Sequence, residues 1–553
     1  MFICFDTEDN SKELLEAGKS GFDKTVTQIA AKTMAGDTYY SKGDIREFKD
    51  WLLSRPERLI YAHNIQYDLG NLFGNNIDEL DTVLVGRRMI RAVWGKKQFV
   101  DSFNIWPMAV KKLGEAFGLN KLDTDSMATD IDYVMRDVDI IHEAMAFVWN
   151  FCDLLGIDVL PSTLGGLCVK IWRHWGGENC HDSLELSREA LFGGRVELFK
   201  LQNDSEFVGY TDINSLYPFV MTRDYPGELE DCGTDLLEYG IARCKVTVPE
   251  CELPVLPLRR DDGRILYPYG TFTGTWTIAE LREMERTGGT IDKVYQSYGT
   301  NECGKPYKDF VHNLYRARLD SASSAEKLFF KLLMNNLYGR LGTTGKIGRT
   351  VNRSDKADID GVCFGKKVLV EYSMPLSAET NWSHAAYTTA YGRLELLKYL
   401  QMIGAENLIY CDTDSAIFDL PHVALNMQFS QSPRCNANSL SSQSIPFAVS
   451  MELGEMKLES YETNCKAYAP KMYSLGSKFK AKGVPQRLAK TFIETGSAHF
   501  DLPFKYREAV AFFDRGNTKR LSVWRKIEKR IASQYDKKRL EKNRFFPCEV
   551  CDS

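Results

Sequence analysis

Three short apolar runs in this 553-residue chain each lead, within two residues, into an aspartate. They are residues 2–5 before Asp6, residues 207–210 before Asp212, and residues 408–410 before Asp412. Each run has the length and the apolar character of a β-strand. A carboxylate at the end of a strand sits on a rigid element, which is a common way to place a metal ligand. The chain is therefore predicted to form strands that carry metal-binding carboxylates.

Helical periodicity is present in four further segments. They are residues 134–147, 307–319, 325–337 and 386–402. Strands with interleaved helices predict an α/β fold, and a chain of this length is too long for one compact core, so several domains are expected. The stretch 428–444 is rich in Ser, Asn and Gln, and this composition predicts an exposed loop.

The charge distribution matters more than the net charge of −5, which by itself argues against a nucleic-acid partner. Between Lys519 and Arg544, eleven Lys and Arg residues stand against three acids. A solvated helix face would have the same composition, so a surface that binds nucleic-acid phosphates and an ordinary polar face both remain open.

Composition also bounds the environment of the protein. No apolar run approaches the roughly 20 residues that span a bilayer, and the first residues lack the basic segment of a signal peptide. The 14 cysteines are scattered, as expected for reduced thiols in the cytoplasm. Cys548 and Cys551 form a CxxC pair without a second pair nearby, which makes a zinc site improbable. A cytoplasmic protein without membrane contact is expected.

Three segments must be considered together. They are residues 210–218 (YTDINSLYP), 331–339 (KLLMNNLYG) and 410–415 (YCDTDS). Singly, each has an ordinary interpretation as a capping aspartate, a surface lysine or a loop. Together they fit nucleotidyl transfer, in which two divalent cations roughly 3.5–4 Å apart stabilise the attacking and leaving oxygens. Asp212 and Asp414 could bind these cations, with Asp412 on the same strand face as Asp414.

A triphosphate also requires cationic groups. Arg318 and Lys331 lie in two helical segments joined by a turn of small residues, so a helical hairpin could present both to the phosphates. Tyr338 follows Lys331 by two helical turns and could stack on an incoming base.

The three segments, in this order, resemble motifs A, B and C of family B DNA polymerases. The resemblance implies that Asp212 and Asp414 are metal ligands supported by Asp412. It also implies that Tyr217 excludes a 2′-hydroxyl from the sugar site, and that Asn335 positions Tyr217 and the nucleotide. Many relatives have Ser after that asparagine, where this chain has Asn336.

The family's Lys-x-Tyr motif, which contacts the primer terminus, has two candidates in this sequence. Lys471 and Tyr473 fit it, and so do Lys466 and Tyr468. The former pair is preferred because a strand-like run begins at Tyr473.

A second set of acids lies in the N-terminal third. Asp6 and Glu8 would share one face of a strand, residues 63–68 (HNIQYD) supply Asp68, and Tyr133 stands one helical turn before Asp137. Such a set suits two-metal hydrolysis of a phosphodiester, in which a tyrosine orients the attacking water.

This second set resembles the Exo I, II and III motifs of DnaQ-like proofreading domains, in order and upstream of the polymerase motifs. The resemblance implies that Asp6, Glu8, Asp68 and Asp137 are metal ligands and that Tyr133 orients the water. His63, Asn64 and Tyr67 would bind the frayed primer strand by hydrogen bonding and stacking. Lys112 or Lys121 would assist as a cation, and the sequence does not choose between them.

Four features resemble the protein-primed branch of the family, found in phages, viruses and linear plasmids. They are the element 192–195 (FGGR), which contains Gly193 and Gly194 as candidate DNA contacts, the segments 99–113 and 133–143, and a predicted hairpin within 342–372. In that branch the hairpin encircles the template and supports strand displacement. Another insertion, which here would occupy residues 231–300, contacts the priming protein.

The resemblance implies an RNase H-like 3′–5′ exonuclease followed by a right-hand polymerase. The expected division is an exonuclease domain (1–160), a linker (161–200), a palm (201–230 and 375–485), two insertions (231–300 and 342–374), fingers (301–341) and a thumb (486–553). The implied cofactor is Mg²⁺, with Mn²⁺ as an alternative, at two ions per site.

The implied partners are primer-template DNA, dNTPs and a terminal protein that primes replication of a small linear genome. A polymerase that extends ordinary nucleic-acid primers is the alternative within the enzyme class. An inactive DNA-binding replication factor is the alternative outside it, although crowded carboxylates would serve no purpose there.

Overall fold

The structure is a computed structural model of the 553-residue chain. It describes residues 1–16, 25–122, 130–178, 180–200, 202–203, 207–352, 362–364, 366–419, 452–463, 465–503, 524–530, 539–541 and 545–551. The loop predicted at 428–444 and the hairpin turn predicted at 354–358 lie outside the described residues, as does most of the basic segment 519–544.

The described residues form fourteen α-helices. They are α1 (Ser11–Glu16), α2 (Ile45–Ser54), α3 (Gln66–Phe73), α4 (Val110–Phe117), α5 (Asp130–Leu154), α6 (Leu164–His174), α7 (Glu185–Glu189), α8 (Leu216–Val220), α9 (Ile278–Arg286), α10 (Lys308–Asp320), α11 (Ser324–Met334), α12 (Leu337–Leu341), α13 (Trp382–Ile403) and α14 (Gln486–Thr495). Of these described helices, none combines the length and the apolar character that crossing a bilayer requires.

Strands alternate with the helices along the described chain. They are β1 (Phe2–Asp9), β2 (Val26–Thr33), β3 (Thr38–Ser41), β4 (Leu59–Ala62), β5 (Asp81–Val85), β6 (Arg88–Trp94), β7 (Lys97–Asp101), β8 (Val196–Leu198), β9 (Gln202–Asn203), β10 (Val208–Ile213), β11 (Tyr225–Pro226), β12 (Glu230–Gly233), β13 (Tyr239–Val248), β14 (Leu258–Arg259), β15 (Ile265–Leu266), β16 (Tyr269–Thr277), β17 (Thr290–Thr300), β18 (Cys303–Gly304), β19 (Lys346–Asn352), β20 (Val362–Phe364), β21 (Lys367–Ser373), β22 (Leu408–Asp412), β23 (Ser415–Asp419), β24 (Met456–Glu462), β25 (Cys465–Ala469), β26 (Met472–Leu475), β27 (Lys478–Ala481), β28 (Ser497–Pro503), β29 (Trp524–Arg530), β30 (Arg539–Glu541), β31 (Phe545–Pro547) and β32 (Glu549–Cys551).

The N-terminal part of the chain is built on a ten-stranded sheet with the order β20-β21-β19-β5-β6-β7-β4-β1-β2-β3. The inner strand β1 is apolar on both sides, because Phe2 and Cys4 pack into one core with helix α5 while Ile3 and Phe5 pack into a second core on the other face. A strand with both faces covered is predicted by the uninterrupted apolar run at its start. The sheet therefore holds Asp6, the first aspartate of the chain, on a rigid strand that is packed on both faces.

The predicted hairpin between the second and third polymerase segments is confirmed where the structure describes it, since β19 and β21 pair antiparallel. An outcome that the sequence does not predict is that β19 also pairs with β5 through Gly348 and Arg349, so that the hairpin extends the N-terminal sheet. The Thr82 amide donates to Thr350 Oγ1 at 2.7 Å, and Leu369 packs into the second core. The hairpin and the N-terminal sheet therefore share one continuous ladder of backbone hydrogen bonds.

A second sheet, with the order β24-β10-β23-β22-β8, carries the other two predicted strand runs. Helix α13 covers it and is buried over most of its length. The insertion expected at 231–300 forms a third sheet, β12-β17-β13-β16-β32, with helix α9. Its outermost strand, β32, pairs with β16, although the domain division predicted from the sequence places these residues in the thumb.

The prediction of one continuous helix over 325–337 is also wrong. Helix α11 ends at Met334 and α12 begins at Leu337. At the break, the side-chain amide of Asn335 donates to the Lys331 carbonyl at 2.8 Å, and that of Asn336 donates to the Leu332 carbonyl at 2.7 Å. Asparagine side chains that bond to nearby backbone groups compete with the next helical turn, which ends the helix here.

Candidate active sites

The first candidate site lies at the N-terminal sheet and contains three carboxylates. Asp6 and Glu8 project from one face of β1, and Asp137 reaches them from α5. One ligand oxygen from each of the three lies within 4.8 Å of the others, and the described residues contain no further group of three or more potential metal ligands this close together. Three hard oxygen ligands at this spacing suit a divalent cation such as Mg²⁺.

Burial and mutual repulsion raise the pKa values of these carboxyls. Burial raises the pKa of Asp6 well above its ordinary value, and the charges of Asp68 and Glu8 raise it further. Burial likewise raises the pKa of Glu8 to about 7 and that of Asp68 to about 8. A protein gains nothing from such a cluster unless cations bind to it, because each added negative charge is unfavourable.

The structure brings Lys121, and not Lys112, into this cluster. The Lys121 ammonium forms an ion pair with Asp137 and lies 5.1 Å from the centre of the Tyr133 ring. Burial lowers the pKa of Lys121, but the charge of Asp137 and the hydrogen bond to it raise that pKa above its ordinary value. Lys112 is exposed on α4. The position of Lys121 therefore favours it over Lys112 as the cationic residue of this cluster.

The three residues predicted to bind the frayed primer strand, Asn64, Tyr67 and His63, differ in their exposure and in their hydrogen bonds. Asn64 is exposed and has a φ of 65°, and its amide donates to Asp101 Oδ1 at 2.8 Å. Tyr67 is partly exposed, and desolvation together with the charge of nearby Asp9 raises the pKa of its hydroxyl. His63 is different: Nε2 donates to the Met108 carbonyl at 2.6 Å and Nδ1 contacts Ser102 Oγ at 3.0 Å.

His63 therefore supports the local fold rather than offering a ring nitrogen to DNA. Burial lowers its pKa, so the ring is neutral near pH 7, and the proton on Nε2 is already donated to a carbonyl. Asp101, which the sequence does not single out, accepts from the amides of both Asn64 and Phe103 and shapes this turn.

The second candidate site lies on the sheet that contains β10, β22 and β23. Asp212 is paired with Ser415 across β10 and β23, and Asp412 is paired with the same serine across β22 and β23. The carbonyl of Asp414 accepts the Ile213 amide at 2.7 Å, which ties the hairpin turn to β10. The sheet thus brings together three aspartates from distant parts of the sequence.

The electrostatics of this site resemble those of the first. Burial raises the pKa of Asp212 to about 7, with further increases from the charges of Asp414 and Glu459. Burial also raises the pKa of Asp414, and Lys471 and Lys331 lower it. Glu459, on β24, was not identified from the sequence because no motif marks it, although its position on a neighbouring strand brings its charge close.

The helical hairpin predicted to carry Arg318 and Lys331 is confirmed, since α10 and α11 pack together across a three-residue turn. Lys331 is close enough to lower the pKa values of Asp212 and Asp414, and Arg318 occupies the last turn of α10. The rings of Tyr217 and Tyr338 lie 4.5 Å apart between centres. Tyr338 therefore lies beside Tyr217 of the first polymerase segment, although the helix is interrupted after α11.

Lys471 is linked to the aspartate cluster, whereas Lys466 lies exposed on β25. The Lys471 amide donates to the Tyr410 hydroxyl at 3.0 Å, and that hydroxyl donates to Asp412 Oδ2 at 3.1 Å. The Lys471 Nζ is 3.6 Å from Asp412 Oδ1. Tyr473 is buried, with its ring 5.5 Å from that of Tyr410. This position favours Lys471 and makes Tyr473 a packing partner of the site.

Backbone strain among the described residues is concentrated at the two sites. The non-glycine residues with positive φ in the described part of the chain are Asn64, Ser215, Thr413 and Lys471. Each belongs to a segment singled out from the sequence. Such conformations cost free energy and persist where the surrounding structure enforces them, which is frequent at active sites.

The two glycines of the 192–195 element differ in their surroundings. A Cβ on Gly194 would lie 2.7 Å from Thr413 Oγ1, whereas a Cβ on Gly193 would meet no atom within 4 Å among the described residues. The Thr413 amide donates to the Arg195 carbonyl at 2.8 Å, and Arg195 forms a buried ion pair with Glu197 at 2.6 Å. Gly194 thus permits close contact with the turn that carries Asp412 and Asp414.

Residues 120–359 match the family described as DNA polymerase type B, organellar and viral. A probable DNA polymerase of Podospora anserina is 24% identical over 527 residues, which cover 73% of this chain and 42% of that protein. The DNA-directed DNA polymerase of Enterobacteria phage PRD1 is 24% identical over 425 residues, covering 70% of this chain and 72% of the phage protein.

Solved structures of Phi29 DNA polymerase share the fold. The complex of that enzyme with primer-template DNA aligns with a TM-score of 0.68 at 17% identity and covers 96% of this chain and 100% of that chain. The complex with single-stranded DNA has the same TM-score at 18% identity. The predicted α/β multidomain fold is therefore confirmed, and the match of residues 120–359 to the organellar and viral type B family agrees with the predicted resemblance to family B DNA polymerases. This chain spans about two fifths of the length of the Podospora protein.

The contrast between the two glycines leads to a mutational prediction. Gly194→Ala should reduce primer extension by about 10- to 100-fold, because the turn at Thr413 must move and displaces the neighbouring aspartates by a fraction of an ångström or more. Gly193→Ala is the matched control and should leave extension near the wild-type rate. Rates are measured with a labelled primer under single-turnover conditions. Equal losses in both variants would instead favour a direct DNA contact by the element.

The raised pKa values predict how stability depends on pH and metal. Asp212 and Glu8 have folded pKa values of about 7 against roughly 4 in the unfolded chain, so between these values the folded protein binds more protons. Without metal, these two groups make the melting temperature fall as pH rises from about 5 to about 7, with little further change up to about pH 8. Mg²⁺ binds the ionised carboxylates, so its stabilising effect should be larger at about pH 8.

Differential scanning fluorimetry in EDTA and in excess Mg²⁺ measures both effects. The double variant Asp212→Asn with Glu8→Gln serves as the control, and in it the pH dependence and the response to Mg²⁺ should both decrease. If Mg²⁺ raised the melting temperature equally at about pH 5 and at about pH 8, the assignment of these carboxyls to cation sites would be contradicted.

Proposed function

We propose that this chain is a template-directed DNA polymerase that carries its own 3′–5′ proofreading exonuclease. The observation that carries the proposal is the presence of two separate carboxylate clusters, on different sheets, each with raised pKa values and a neighbouring lysine. The order of their motifs and the likeness in fold to Phi29 DNA polymerase support the same conclusion.

For synthesis, Asp212 and Asp414 would hold two Mg²⁺ ions, with Mn²⁺ as an alternative, and the carboxylate oxygens fit such hard cations. When bound, the ions stabilise charge on the attacking and leaving oxygens. Lys331 and Arg318 bind the triphosphate, and Asp412 orients Lys471 toward the primer end. The paired rings of Tyr217 and Tyr338, placed by Asn335 at the end of α11, form the sugar and base site. Tyr217 there excludes a 2′-hydroxyl.

For editing, Asp6, Glu8, Asp68 and Asp137 would hold the cations. Tyr133, one turn before Asp137, orients the attacking water, and Lys121 offsets part of the negative charge until cations bind. Asn64 and Tyr67 are exposed beside the cluster and contact the frayed strand. We assign the domains as the sequence predicts them, with the strand β32 as the exception.

The division of labour between the two clusters can be tested by removing each. Asp414→Ala should abolish primer extension with Mg²⁺ and dNTPs while leaving the degradation of single-stranded DNA. The pair Asp6→Ala with Glu8→Ala should abolish degradation and leave extension. Asp262→Ala controls for the change in net charge, because it removes an exposed carboxylate that belongs to neither cluster. If a folded variant of either cluster lost both activities, the assignment of two independent sites would be excluded. If the wild-type protein showed neither activity, the proposed catalytic function would be excluded.

We further propose that synthesis starts on the hydroxyl of a terminal protein and replicates a small linear DNA in the cytoplasm of the host cell. The resemblance to the protein-primed branch supports this, as does the separate sheet formed by residues 230–300 together with β32, which would provide a docking surface. Every cysteine whose sulfur the structure describes is a free thiol, as a reducing compartment requires.

Protein priming predicts a covalent product. The polymerase, labelled dATP and the terminal protein encoded beside it should yield a nucleotide–protein adduct, and Asp414→Ala should yield none. If the wild-type enzyme extends an oligonucleotide primer but forms no adduct with the partner, the alternative is correct and the enzyme uses ordinary nucleic-acid primers.

A further inference from the structure

Strand β1 carries a polar residue on the face opposite its metal-binding carboxylates. Thr7 lies between Asp6 and Glu8, and the alternation of side chains along a strand directs it to the other side of the sheet. Its side chain is buried, with 1% of its surface exposed. A buried hydroxyl must find a hydrogen-bond partner, so the groups that surround it are informative.

Thr7 is bonded to the carboxylate of Asp68 in two ways. Its backbone amide donates to Asp68 Oδ1 at 3.1 Å, and its hydroxyl donates to the same oxygen at 2.8 Å. Asp68 is 1% exposed and stands in the first turn of α3. Both hydrogen bonds end on one oxygen, Oδ1, so Thr7 leaves the second oxygen, Oδ2, without a bond from itself.

The direction of the hydroxyl bond is fixed by a third residue. Asn71, one helical turn after Asp68, donates from Nδ2 to Thr7 Oγ1 at 2.9 Å. Because the hydroxyl has one proton and accepts from Asn71, its proton points to Asp68. Asn71 is itself buried, with 7% of its surface exposed. The three side chains form a directed chain of hydrogen bonds from Asn71 through Thr7 to Asp68.

We propose that Thr7 and Asn71 are positioning residues for editing, which hold the Asp68 carboxylate in the orientation that binds a divalent cation beside Asp6. The proposal rests on the exonuclease activity proposed above. Asp68 lies close enough to Asp6 for their charges to interact, although it comes from a different element. An apolar residue at position 7 would keep only the backbone bond, and the carboxylate would be free to rotate about its χ angles.

Isosteric variants separate the hydroxyl from the shape of the side chain. Thr7→Val removes the hydroxyl, Thr7→Ser keeps it, and Asn71→Leu removes the donor that orients it. Thr7→Val should raise the Mg²⁺ concentration for half-maximal excision, or lower the rate of excision, by about 10- to 100-fold. Thr7→Ser should remain near wild type, and Asn71→Leu should fall between the two. Primer extension should not change in any of them.

Thr33→Val is the matched control. Thr33 is also buried on the same sheet, and its hydroxyl accepts the Asp37 amide at 3.1 Å, away from the carboxylates. This variant should lose a comparable amount of stability but should keep the wild-type Mg²⁺ dependence. Melting temperatures of all variants identify losses that come from unfolding.

Binding of Mn²⁺ by the full chain, measured by calorimetry in an Asp414→Ala background, supplies a readout that does not need excision. Thr7→Val should weaken the tightest remaining Mn²⁺ site by a similar factor, and Thr7→Ser should restore it. Unchanged binding and unchanged excision at limiting Mg²⁺ in Thr7→Val would overturn the proposal, as would equal losses in Thr7→Val and Thr7→Ser. If Mn²⁺ binding responds but wild type excises nothing, the proposed exonuclease activity fails and the positioning role stands.

Discussion

Repulsion between crowded carboxylates is the constraint on which the rest of this structure depends. The fold places Asp6, Glu8 and Asp137 within a few ångströms of one another and places Asp212 close to Asp414. Neither arrangement is favourable by itself, since burial and neighbouring charge raise the pKa values of these groups. The protein tolerates both because lysines from other elements offset part of the charge and because divalent cations can complete the neutralisation.

The same requirement explains why the strained backbone lies where it does. Ser215 and Thr413 adopt left-handed conformations at the ends of the strands that carry Asp212 and Asp412. A tight turn there keeps the aspartates close, and Gly194 allows a neighbouring segment to support that turn without a steric clash. The free energy spent on strain is recovered through the large buried sheets on which the turns sit.

Backbone pairing also connects the N-terminal sheet to a segment that lies between two polymerase motifs. The hairpin of β19 and β21 belongs, by sequence position, between two polymerase segments, yet it pairs with β5 of the N-terminal sheet. The FGGR element contacts the turn at Thr413 on one side and accepts hydrogen bonds from Arg393 on the other. Hydrogen-bonded backbone therefore connects the segment between the second and third polymerase motifs to the sheet that carries Asp6 and Glu8.

Much of the fold was predictable from local pattern. The alternation along residues 2–8 placed Asp6 and Glu8 on one face, and the apolar runs before Asp212 and Asp412 correctly marked the strands of the second sheet. Local pattern was wrong in one place, since it predicted a continuous helix over 325–337. The helix is interrupted at Asn335 and Asn336, because their side chains bond to backbone carbonyls of the preceding turn. Propensity does not reveal these bonds in advance.

The sequence by itself marked the residues that are proposed to carry the chemistry, because strand and helix periods are short-range properties of the chain. Tertiary structure alone decided which groups support them. Lys121 pairs with Asp137, Asn71 bonds to Thr7 across 64 residues, and Thr82 bonds to Thr350 across 268 residues. No periodicity relates residues so far apart. Only the packing of the sheets and helices brings them within hydrogen-bonding distance.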